Sequence, residues 1–390
     1  MSMNKRLIEQ LRRKYLEIFD EKPHILAKAP GRANIIGEHT DYNGGFVLPV
    51  GIDKNIYAFS SKRNDNTVHI YSYDFQESAS FSIENLTYEE TRRWVNYQKG
   101  VFNELQKAGY ELSGINMVFG GDIPIAAGLS SSAALELVTA VTLESLFDLN
   151  INDLELIKLC QSAEKNFVGV QCGIMDQFAS RMAKKDYAVL LDCKTLEYKY
   201  IPFKQDSYYI VLCNTLKKRE LVDSEYNKRK KECEEGVTFF QKLNPEIEFL
   251  RDVDVDLFNS KKNEMPENIQ KRCGHVIYEN KRVIDCVEAL ENDDFEKMKN
   301  LLFESHYSLK DLYEVSCKEL DILVEIARDC EGASGSRMMG AGFGGCTINV
   351  VEKSKIEEFS STINSEYYKQ TSIKPEIYIC RIEDGAGVID

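Results

Sequence analysis

Apolar and polar positions divide the first half of the chain into segments with two different periodicities. Apolar residues spaced three and four positions apart predict helices at residues 5–18, 94–108, 133–147 and 154–168. Runs of β-branched and aromatic residues predict strands at residues 68–74, 114–119, 187–192 and 208–213. Because strands and helices follow one another irregularly, the pattern favours α+β layers over a regular strand–helix–strand relay.

The second half of the chain is more helical and ends in strands. Helical spacing recurs at residues 224–242, 266–292 and 308–328. A glycine-rich turn, a strand at residues 346–351, a short helix and a last strand at residues 377–382 follow. The sequence contains no internal repeat and no low-complexity linker. We expect a boundary near residues 193–206, which divides the chain into an N-terminal domain of residues 1–200 and a C-terminal domain of residues 201–390.

Composition and charge narrow the class of protein. Of the 390 residues, 43% are hydrophobic and 29% are charged, which is ordinary for a globular chain. The net charge of −14 disfavours nucleic acid and anionic membrane surfaces as partners, because phosphate binding needs a basic face. A nucleotide remains compatible with this charge, since the local field in a cleft can differ in sign from the net charge. No stretch approaches the roughly 18 apolar residues of a membrane-spanning helix.

The eleven cysteines indicate a reducing compartment. They are dispersed between Cys160 and Cys380, form no Cys-x-x-Cys pair and match no spacing of a structural zinc site. Dispersed thiols of this kind are typical of cytosolic proteins. Residues 1–6 precede a charged amphipathic segment rather than an apolar leader, so we expect a cytoplasmic protein.

Residues 29–49 contain the densest group of candidate binding side chains. Arg32, Glu38, His39 and Asp41 lie here among glycines, which allow tight turns and close approaches of the backbone. A charged surface turn is the simpler interpretation of such a composition. Four charged or titratable groups in one glycine-punctuated loop also fit a small polar binding site, and both interpretations stay open at this point.

Residues 120–134 predict an anion site at the start of a helix. Small residues lead to Ser130, Ser131 and Ser132, and the apolar helix follows directly. Backbone N–H groups and the positive end of the helix dipole would face a ligand there. The segment is not a Walker A loop, because no lysine follows the glycine. A serine N-cap is the alternative, but three consecutive serines after Ala-Gly-Leu exceed what a cap requires.

Two further patterns carry candidate chemistry. Residues 340–345 formally satisfy Gly-x-Gly-x-x-Gly, but a β-branched strand follows instead of a helix, which argues against a dinucleotide site. A plain tight turn explains these glycines equally well. Glu164, late in a helix, and Asp176, after a glycine-containing turn, could hold a hard cation and an attacking hydroxyl. Taken singly, either acid is also explained by solvation or helix capping.

Taken together, these motifs resemble a known family. Residues 29–49 match, almost letter for letter, the signature of galactokinases in the GHMP sugar and metabolite kinase superfamily. Residues 120–134 resemble the phosphate-binding loop of the superfamily, and residues 334–345 resemble its third motif. The resemblance implies an α+β, two-lobed GHMP kinase fold with mixed and antiparallel sheets and an active site in the cleft between the lobes. One departure is Arg219, where many galactokinases carry histidine.

The same resemblance implies roles for individual residues. Asp176 would be the catalytic acid/base, and Arg32 would offset negative charge during the transfer. The residues that would contact the sugar are Glu38, His39, Thr40, Asp41, Gly173 and Tyr226. The residues that would contact the phosphates are Ala126, Ala127, Gly128, Leu129, Ser130, Ser131 and Ser132, with Ser72 and Trp94 as candidates beside the adenine. Ser132 and Glu164 would hold Mg²⁺.

The activity that the resemblance implies is transfer of the γ-phosphoryl group of ATP to the C1 hydroxyl of α-D-galactose, the first committed step of galactose catabolism. ATP and Mg²⁺ would be the cofactors, and galactose and MgATP the small-molecule partners of a monomer. Two alternatives stay open. One is a related sugar-1-kinase that acts on galactosamine, N-acetylgalactosamine or arabinose. The other is a galactose sensor that kept the fold and lost turnover.

Overall fold

The computed structural model describes residues 3–124, 127–217 and 222–389. The strands are β1 (Ile25–Asn34), β2 (Phe46–Val47), β3 (Pro49–Lys62), β4 (Thr67–Ser72), β5 (Glu77–Ser82), β6 (Ile115–Gly121), β7 (Tyr187–Asp192), β8 (Tyr198–Pro202), β9 (Tyr208–Asn214), β10 (Ala333–Met338), β11 (Cys346–Glu352), β12 (Glu376–Cys380) and β13 (Gly387–Ile389). The helices are α1 (Met3–Phe19), α2 (Val95–Lys107), α3 (Ser131–Leu146), α4 (Asp153–Ser162), α5 (Met175–Met182), α6 (Val222–Gln241), α7 (Val255–Lys261), α8 (Glu267–Glu291), α9 (Phe295–Ser308), α10 (Lys318–Asp329) and α11 (Ile356–Thr371). Two π-helical turns, Ala163–Val168 and Leu309–Tyr313, extend α4 and α9.

Within the described residues, the strands form three sheets. The first has the order β13–β1–β3–β6–β4–β5, the second β10–β11–β9–β12, and the third β2–β7–β8. The pair β4–β6 is parallel, and the other strand pairs are antiparallel. The C-terminal strand β13 therefore returns to the first sheet and pairs with β1.

An irregularity in β1 brings this strand against the loop that precedes α3. The pairing of β1 with β3 shifts register between Pro30 and Arg32. The backbone N–H of Arg32 donates to the carbonyl oxygen of Leu129 over 3.2 Å. A β-carbon on Gly31 would come within 2.8 Å of the same carbonyl oxygen, so the close approach requires glycine. Strand β1 of the first sheet therefore places Arg32 next to the N-terminus of α3.

Helix α3 is a core helix. Its side chains Leu137, Val138 and Leu143 are fully buried and belong to the main hydrophobic core, which also includes residues of the first sheet. Burying a side chain of this kind stabilises the fold by about 1.5–3 kcal/mol. The loop at the N-terminus of α3 is therefore attached to one of the best-packed parts of the molecule.

Many of the elements predicted from the hydrophobic pattern are confirmed. β7 has the predicted bounds, and the helices predicted at residues 5–18, 94–108 and 266–292 are α1, α2 and α8. Helices α5, α7 and α9 were not predicted. In the described part of the chain, no helix is long and apolar enough to cross a membrane.

The single helix predicted at residues 308–328 is wrong. The π-helical turn after α9 ends at Tyr313, the next residue, Glu314, takes a left-handed φ of 55°, and α10 begins only at Lys318. Arg229 donates to the carbonyl oxygens of Tyr313 and Glu314, which satisfies groups that a continuous helix would have paired internally. The strand predicted at residues 377–382 is also not the last one, because β13 follows it. The division of the chain at residue 200 stays a prediction.

Candidate active site

A cleft of about 460 Å³ collects most of the predicted site residues. Its walls come from the segment after β1, the start of α3, the turn before α5, and parts of α6 and the loop after β10. Both halves of the chain therefore contribute to it. The predicted residues that line it are Arg32, Glu38, His39, Asp41, Gly128, Leu129, Ser130, Ser131, Ser132, Glu164, Gly173, Asp176 and Tyr226.

Thr40 does not line the cleft. Its side chain is fully buried, and Oγ1 lies 2.8 Å from the carbonyl oxygen of Gly37 and 2.7 Å from that of Phe46. The hydroxyl thus connects the two ends of the loop and braces it, and the expected contact of Thr40 with a sugar stays a prediction.

The remaining predicted nucleotide residues also lie away from the cleft lining. Ser72 is fully buried at the end of β4, where its hydroxyl accepts a hydrogen bond from the backbone N–H of Phe75 over 3.4 Å. Trp94 packs against Phe119 with 5.4 Å between ring centroids. Ala127 is fully buried. The predicted phosphate contact Ala126 and the departure at Arg219 lie outside the described residues.

Arg32 and Asp176 form an ion pair in the cleft. The Nε of Arg32 donates to Oδ1 of Asp176 over 2.9 Å, and its Nη1 donates to the carbonyl oxygen of Gly128 over 2.6 Å. Ser130 donates its hydroxyl to Oδ2 of Asp176 over 2.5 Å. Both carboxylate oxygens are therefore held by side chains from the two loops that the sequence singled out. Motif reasoning placed Ser130 at the phosphates and missed this contact.

Ser130 holds its position through an unusual backbone conformation. Its φ is 57°, in the left-handed region that non-glycine residues rarely adopt, immediately before α3 begins. Such conformations cost of order 1–3 kcal/mol and persist where the surroundings enforce them, frequently at functional sites. The conformation aims the serine hydroxyl across the cleft instead of back at its own helix.

Glu164 and Ser132 form the second charged group of the cleft. Glu164 is buried in the π-helical turn after α4, and burial together with the nearby Asp176 raises its pKa. The neighbouring side chains of Gln177, Cys172 and Ser132 act against this rise, and Gln177 donates its Nε2 to Oε2 over 2.7 Å. Cys172 and Gln177 were not predicted from the sequence.

Ser132 and Glu164 together offer only two oxygen ligands. Such a pair suits Mg²⁺, and it does not suit a metal ion that is coordinated by protein side chains alone. Among the described residues, no group of three or more His, Cys, Asp and Glu side chains could hold a metal ion. Mg²⁺ typically takes one or two protein oxygens and completes its shell with water and substrate phosphates. One hydroxyl and one carboxylate beside an anion-binding helix N-terminus match that requirement.

The side chain of Asp41 lies directly against Gly173 in the cleft. A β-carbon on Gly173 would fall 1.6 Å from Oδ2 of Asp41, so glycine is required here for steric reasons. Burial, and then the neighbouring charge of Asp176, raises the pKa of Asp41 to about 7. Asp41 is thus a carboxyl group poised to change protonation when a ligand alters its surroundings.

Glu38 is fixed by groups from the second half of the chain. Its Oε1 accepts a hydrogen bond from the backbone N–H of Gly340 over 2.7 Å and lies 3.3 Å from Nη2 of Arg337. Its carbonyl oxygen lies 3.1 Å from Nε2 of His275. The sequence did not predict that Arg337 and His275 contact Glu38, since no local pattern connects them with the loop of residues 29–49.

An aromatic wall surrounds His39. Its Nδ1 lies 2.8 Å from the hydroxyl of Tyr42, which in turn lies 2.7 Å from that of Tyr313. The ring of Tyr226 lies 5.7 Å from the imidazole. Burial lowers the pKa of His39 to about 3 and raises the pKa of Tyr226 well above its usual range, so both side chains are neutral near pH 7. This wall offers uncharged donors and acceptors suited to hydroxyl groups.

Three family models match the chain. The galactokinase galactose-binding signature matches residues 13–62. The N-terminal domain of GHMP kinases matches residues 96–184, and the C-terminal domain of GHMP kinases matches residues 286–369. The first two matches contain the loop of Arg32 and the segment from Ser130 to Asp176.

Relatives and a solved structure extend these matches to nearly the whole chain. The galactokinases of Fusobacterium nucleatum and Clostridium acetobutylicum are 44% and 43% identical, each over 98% of this chain and 100% of their own length. The crystal structure of Lactococcus lactis galactokinase complexed with galactose has a TM-score of 0.94 at 37% identity, covering 97% of this chain and 99% of that one. The likeness confirms the expected two-lobed fold with mixed sheets and helices. This chain belongs to the galactokinase family, whose members are ATP-using sugar kinases within the GHMP kinase superfamily.

Proposed function

We propose that this chain transfers the γ-phosphoryl group of ATP to the C1 hydroxyl of α-D-galactose, giving galactose 1-phosphate and ADP. One observation carries the proposal. The ion pair of Arg32 and Asp176 lies in the same cleft as the serine loop at the start of α3 and the polar wall that contains Asp41. Donor, acceptor and a group to handle the proton could therefore meet in one place.

The sugar would bind against Glu38, His39, Asp41 and Tyr226. Arg337 and Gly340 hold one oxygen of Glu38, so its other oxygen could accept a hydrogen bond from a hydroxyl. A buried carboxylate that loses its partner is costly, and a misplaced hydroxyl would leave one. This cost supports selection between epimers, because a site built to hydrogen-bond a substrate discriminates strongly against an analogue that lacks the matching group.

Asp176 would orient the C1 hydroxyl and accept its proton as the bond to phosphorus forms. Ser130 and Arg32 hold one carboxylate oxygen each, so the group is preorganised before the sugar arrives. Arg32 would also offset the negative charge that develops between donor and acceptor. Phosphoryl transfer needs positioning and charge neutralisation more than covalent participation of the protein, which fits this arrangement.

The triphosphate would lie on residues 128–132, where the N-terminus of α3 presents backbone N–H groups and the positive end of its dipole. Ser132 and Glu164 would hold Mg²⁺. When bound, the ion neutralises phosphate charge and orients the phosphoryl group. The serine hydroxyls and backbone N–H groups would donate to the phosphate oxygens and orient the γ-phosphoryl group toward Asp176.

One ADP-release assay tests the proposal against its alternatives. We expect fast, Mg²⁺-dependent ADP release with galactose and much slower release with glucose, arabinose and 2-amino derivatives of galactose. Comparable rates with several of these sugars would indicate a broader sugar-1-kinase. ADP release with none of them, together with calorimetric binding of galactose, would indicate a sensor. We further expect a monomer by light scattering.

A further inference from the structure

A buried carboxyl group behind the cleft is not accounted for by the proposed chemistry. Glu136 lies on α3, four residues after Ser132, and its side chain has no exposed surface. Its Oε2 accepts a hydrogen bond from Nε2 of Gln177 over 2.9 Å. The same nitrogen donates to Oε2 of Glu164 over 2.7 Å. One amide nitrogen therefore bridges a carboxyl group that lines the cleft and one that does not.

This bridge fixes which way the amide of Gln177 points. An amide nitrogen has two hydrogens, and here each hydrogen goes to a different carboxyl group. A flipped amide would turn Oε1 toward both Oε2 atoms, and both of these hydrogen bonds from Nε2 would be lost. Gln177 also follows Asp176 on α5, so the orientation of Glu164 and the position of Asp176 are set by adjacent residues of one helix.

We propose that Glu136 is a positioning residue that acts through Gln177 to hold the carboxylate of Glu164 toward the cleft. The proposal rests on the proposed role of Glu164 as a metal ligand. Groups behind metal-binding carboxylates commonly orient them, and loss of such a group typically costs about 10–100-fold in metal affinity or activity.

Packing alone does not explain a glutamate at this position. Within the described residues, Oε1 of Glu136 and Oε1 of Gln177 are buried and have no hydrogen-bond partner. Leaving such atoms unpaired destabilises the fold, and an apolar side chain of the same size would avoid that loss. The cost is understandable if the amide must face Glu164.

Two substitutions at Glu136 separate positioning from packing. Glu136→Met keeps the length and the burial but removes the acceptor for Gln177. Glu136→Gln retains an acceptor oxygen in a side chain of the same shape. Thr142→Val is the matched control, because Thr142 is also fully buried on α3 and its hydroxyl has no hydrogen-bond partner within the described residues.

The main readout is binding of Mn²⁺ in the presence of ADP, measured by electron paramagnetic resonance without turnover. We expect Glu136→Met to weaken Mn²⁺ binding by at least about 10-fold and to raise the Mg²⁺ concentration for half-maximal turnover to a similar extent. Galactose affinity should change less than about 2-fold, since Glu136 is not part of the sugar wall, the set of proposed sugar contacts Glu38, His39, Asp41 and Tyr226. Glu136→Gln and Thr142→Val should behave like the unmodified chain.

Unchanged Mn²⁺ affinity in a folded Glu136→Met chain would overturn the proposal, and so would equal losses in the methionine and glutamine variants. If Glu136→Met does not fold, Gln177→Met removes the same bridge from the other side and carries the same expectation. Glu164→Gln separates the role of Glu164 as a metal ligand from the role of Glu136 as a positioning residue. If it leaves Mn²⁺ binding intact, the metal assignment fails. If it abolishes binding while Glu136→Met does not weaken it, only the positioning role fails.

Discussion

Arg337 and Glu38 form a buried ion pair that joins β10 to the loop after β1, with 3.3 Å between Nη2 and Oε1. The guanidinium has no exposed surface and also donates through Nε to the carbonyl oxygen of Ile35 over 2.7 Å. Arg337 lies 299 positions after Glu38 in the sequence. The sugar wall depends on the second half of the chain as much as on the first.

Arg337→Met should destabilise the fold and weaken galactose binding together. Removal of one partner leaves the carboxylate of Glu38 buried without its counter-charge, a change that typically costs about 3–5 kcal/mol. Urea denaturation measures this loss, and calorimetry measures the galactose affinity. Arg12→Met, at an exposed arginine of α1, is the control and should change the free energy of unfolding by less than about 0.5 kcal/mol. A loss in Arg337→Met no larger than in the control would contradict the prediction.

Asp176→Asn should remove most turnover and preserve galactose binding. Asparagine keeps the size of the side chain and can still accept a hydrogen bond, but it cannot take up the proton of the C1 hydroxyl. Loss of a positioned general base typically costs about 10²–10⁴-fold in rate. Single-turnover ADP release gives the rate, and calorimetry gives the affinity. The exposed Asp206→Asn serves as a control with normal turnover. Near-normal turnover in Asp176→Asn would refute the catalytic assignment.

The sequence predicted which segments meet in the cleft but not how their side chains are paired. Glycine spacing and local charge are properties of short stretches, so Arg32, the serine run and Asp176 were recognisable from their motifs. The hydrogen bond from Ser130 to Asp176 joins residues 46 positions apart and depends on a left-handed backbone at Ser130. No local pattern encodes such a contact, because tertiary packing enforces it.

Two other differences have the same physical origin. The helix predicted at residues 308–328 is interrupted near Glu314. There, Arg229 of the distant helix α6 donates hydrogen bonds to the carbonyl oxygens of Tyr313 and Glu314. The family resemblance placed Thr40 among the sugar contacts, and the structure shows its hydroxyl facing carbonyl oxygens of its own loop. Neighbourhood in sequence predicts membership of a loop and leaves the direction of each side chain undetermined.

Galactose affinity should rise with pH through about 7. The pKa of Asp41 is raised to about 7 by burial and by Asp176, and sugar hydroxyls donate best to its ionised form. His39 contributes no step near pH 7, since burial lowers its pKa to about 3. Calorimetry from about pH 5.5 to 8.5 measures the dependence. Asp41→Asn should bind galactose weakly at every pH, and a pH-independent affinity in the unmodified chain would contradict the assignment.

The raised pKa of Asp41 should also make the free energy of unfolding depend on pH. Between about pH 4 and pH 7 the folded chain retains the proton of Asp41 and the unfolded chain releases it. The stabilisation from this proton is fully present below about pH 4 and is lost as the pH rises through about 7. Asparagine does not titrate, so Asp41→Asn does not lose this stabilisation as the pH rises. The Tm of the variant minus the Tm of the unmodified chain should therefore increase between about pH 4.5 and 8. A constant Tm difference over that range would refute the raised pKa.

Gly173→Ala should impair galactose binding and leave ATP binding nearly unchanged. The added methyl group would fall 1.6 Å from Oδ2 of Asp41, so the carboxylate or the turn before α5 must move. A displacement of this kind at a positioning carboxylate costs on the order of 10²-fold in kcat/KM for galactose. Gly387→Ala is the matched control, because a β-carbon there meets no atom within 4 Å. Steady-state kinetics with each substrate varied separately measures both effects. Equal increases in KM for galactose and ATP would show that the substitution disturbs the whole cleft, and unchanged kinetics would show that the contact between Gly173 and Asp41 does not set the sugar wall.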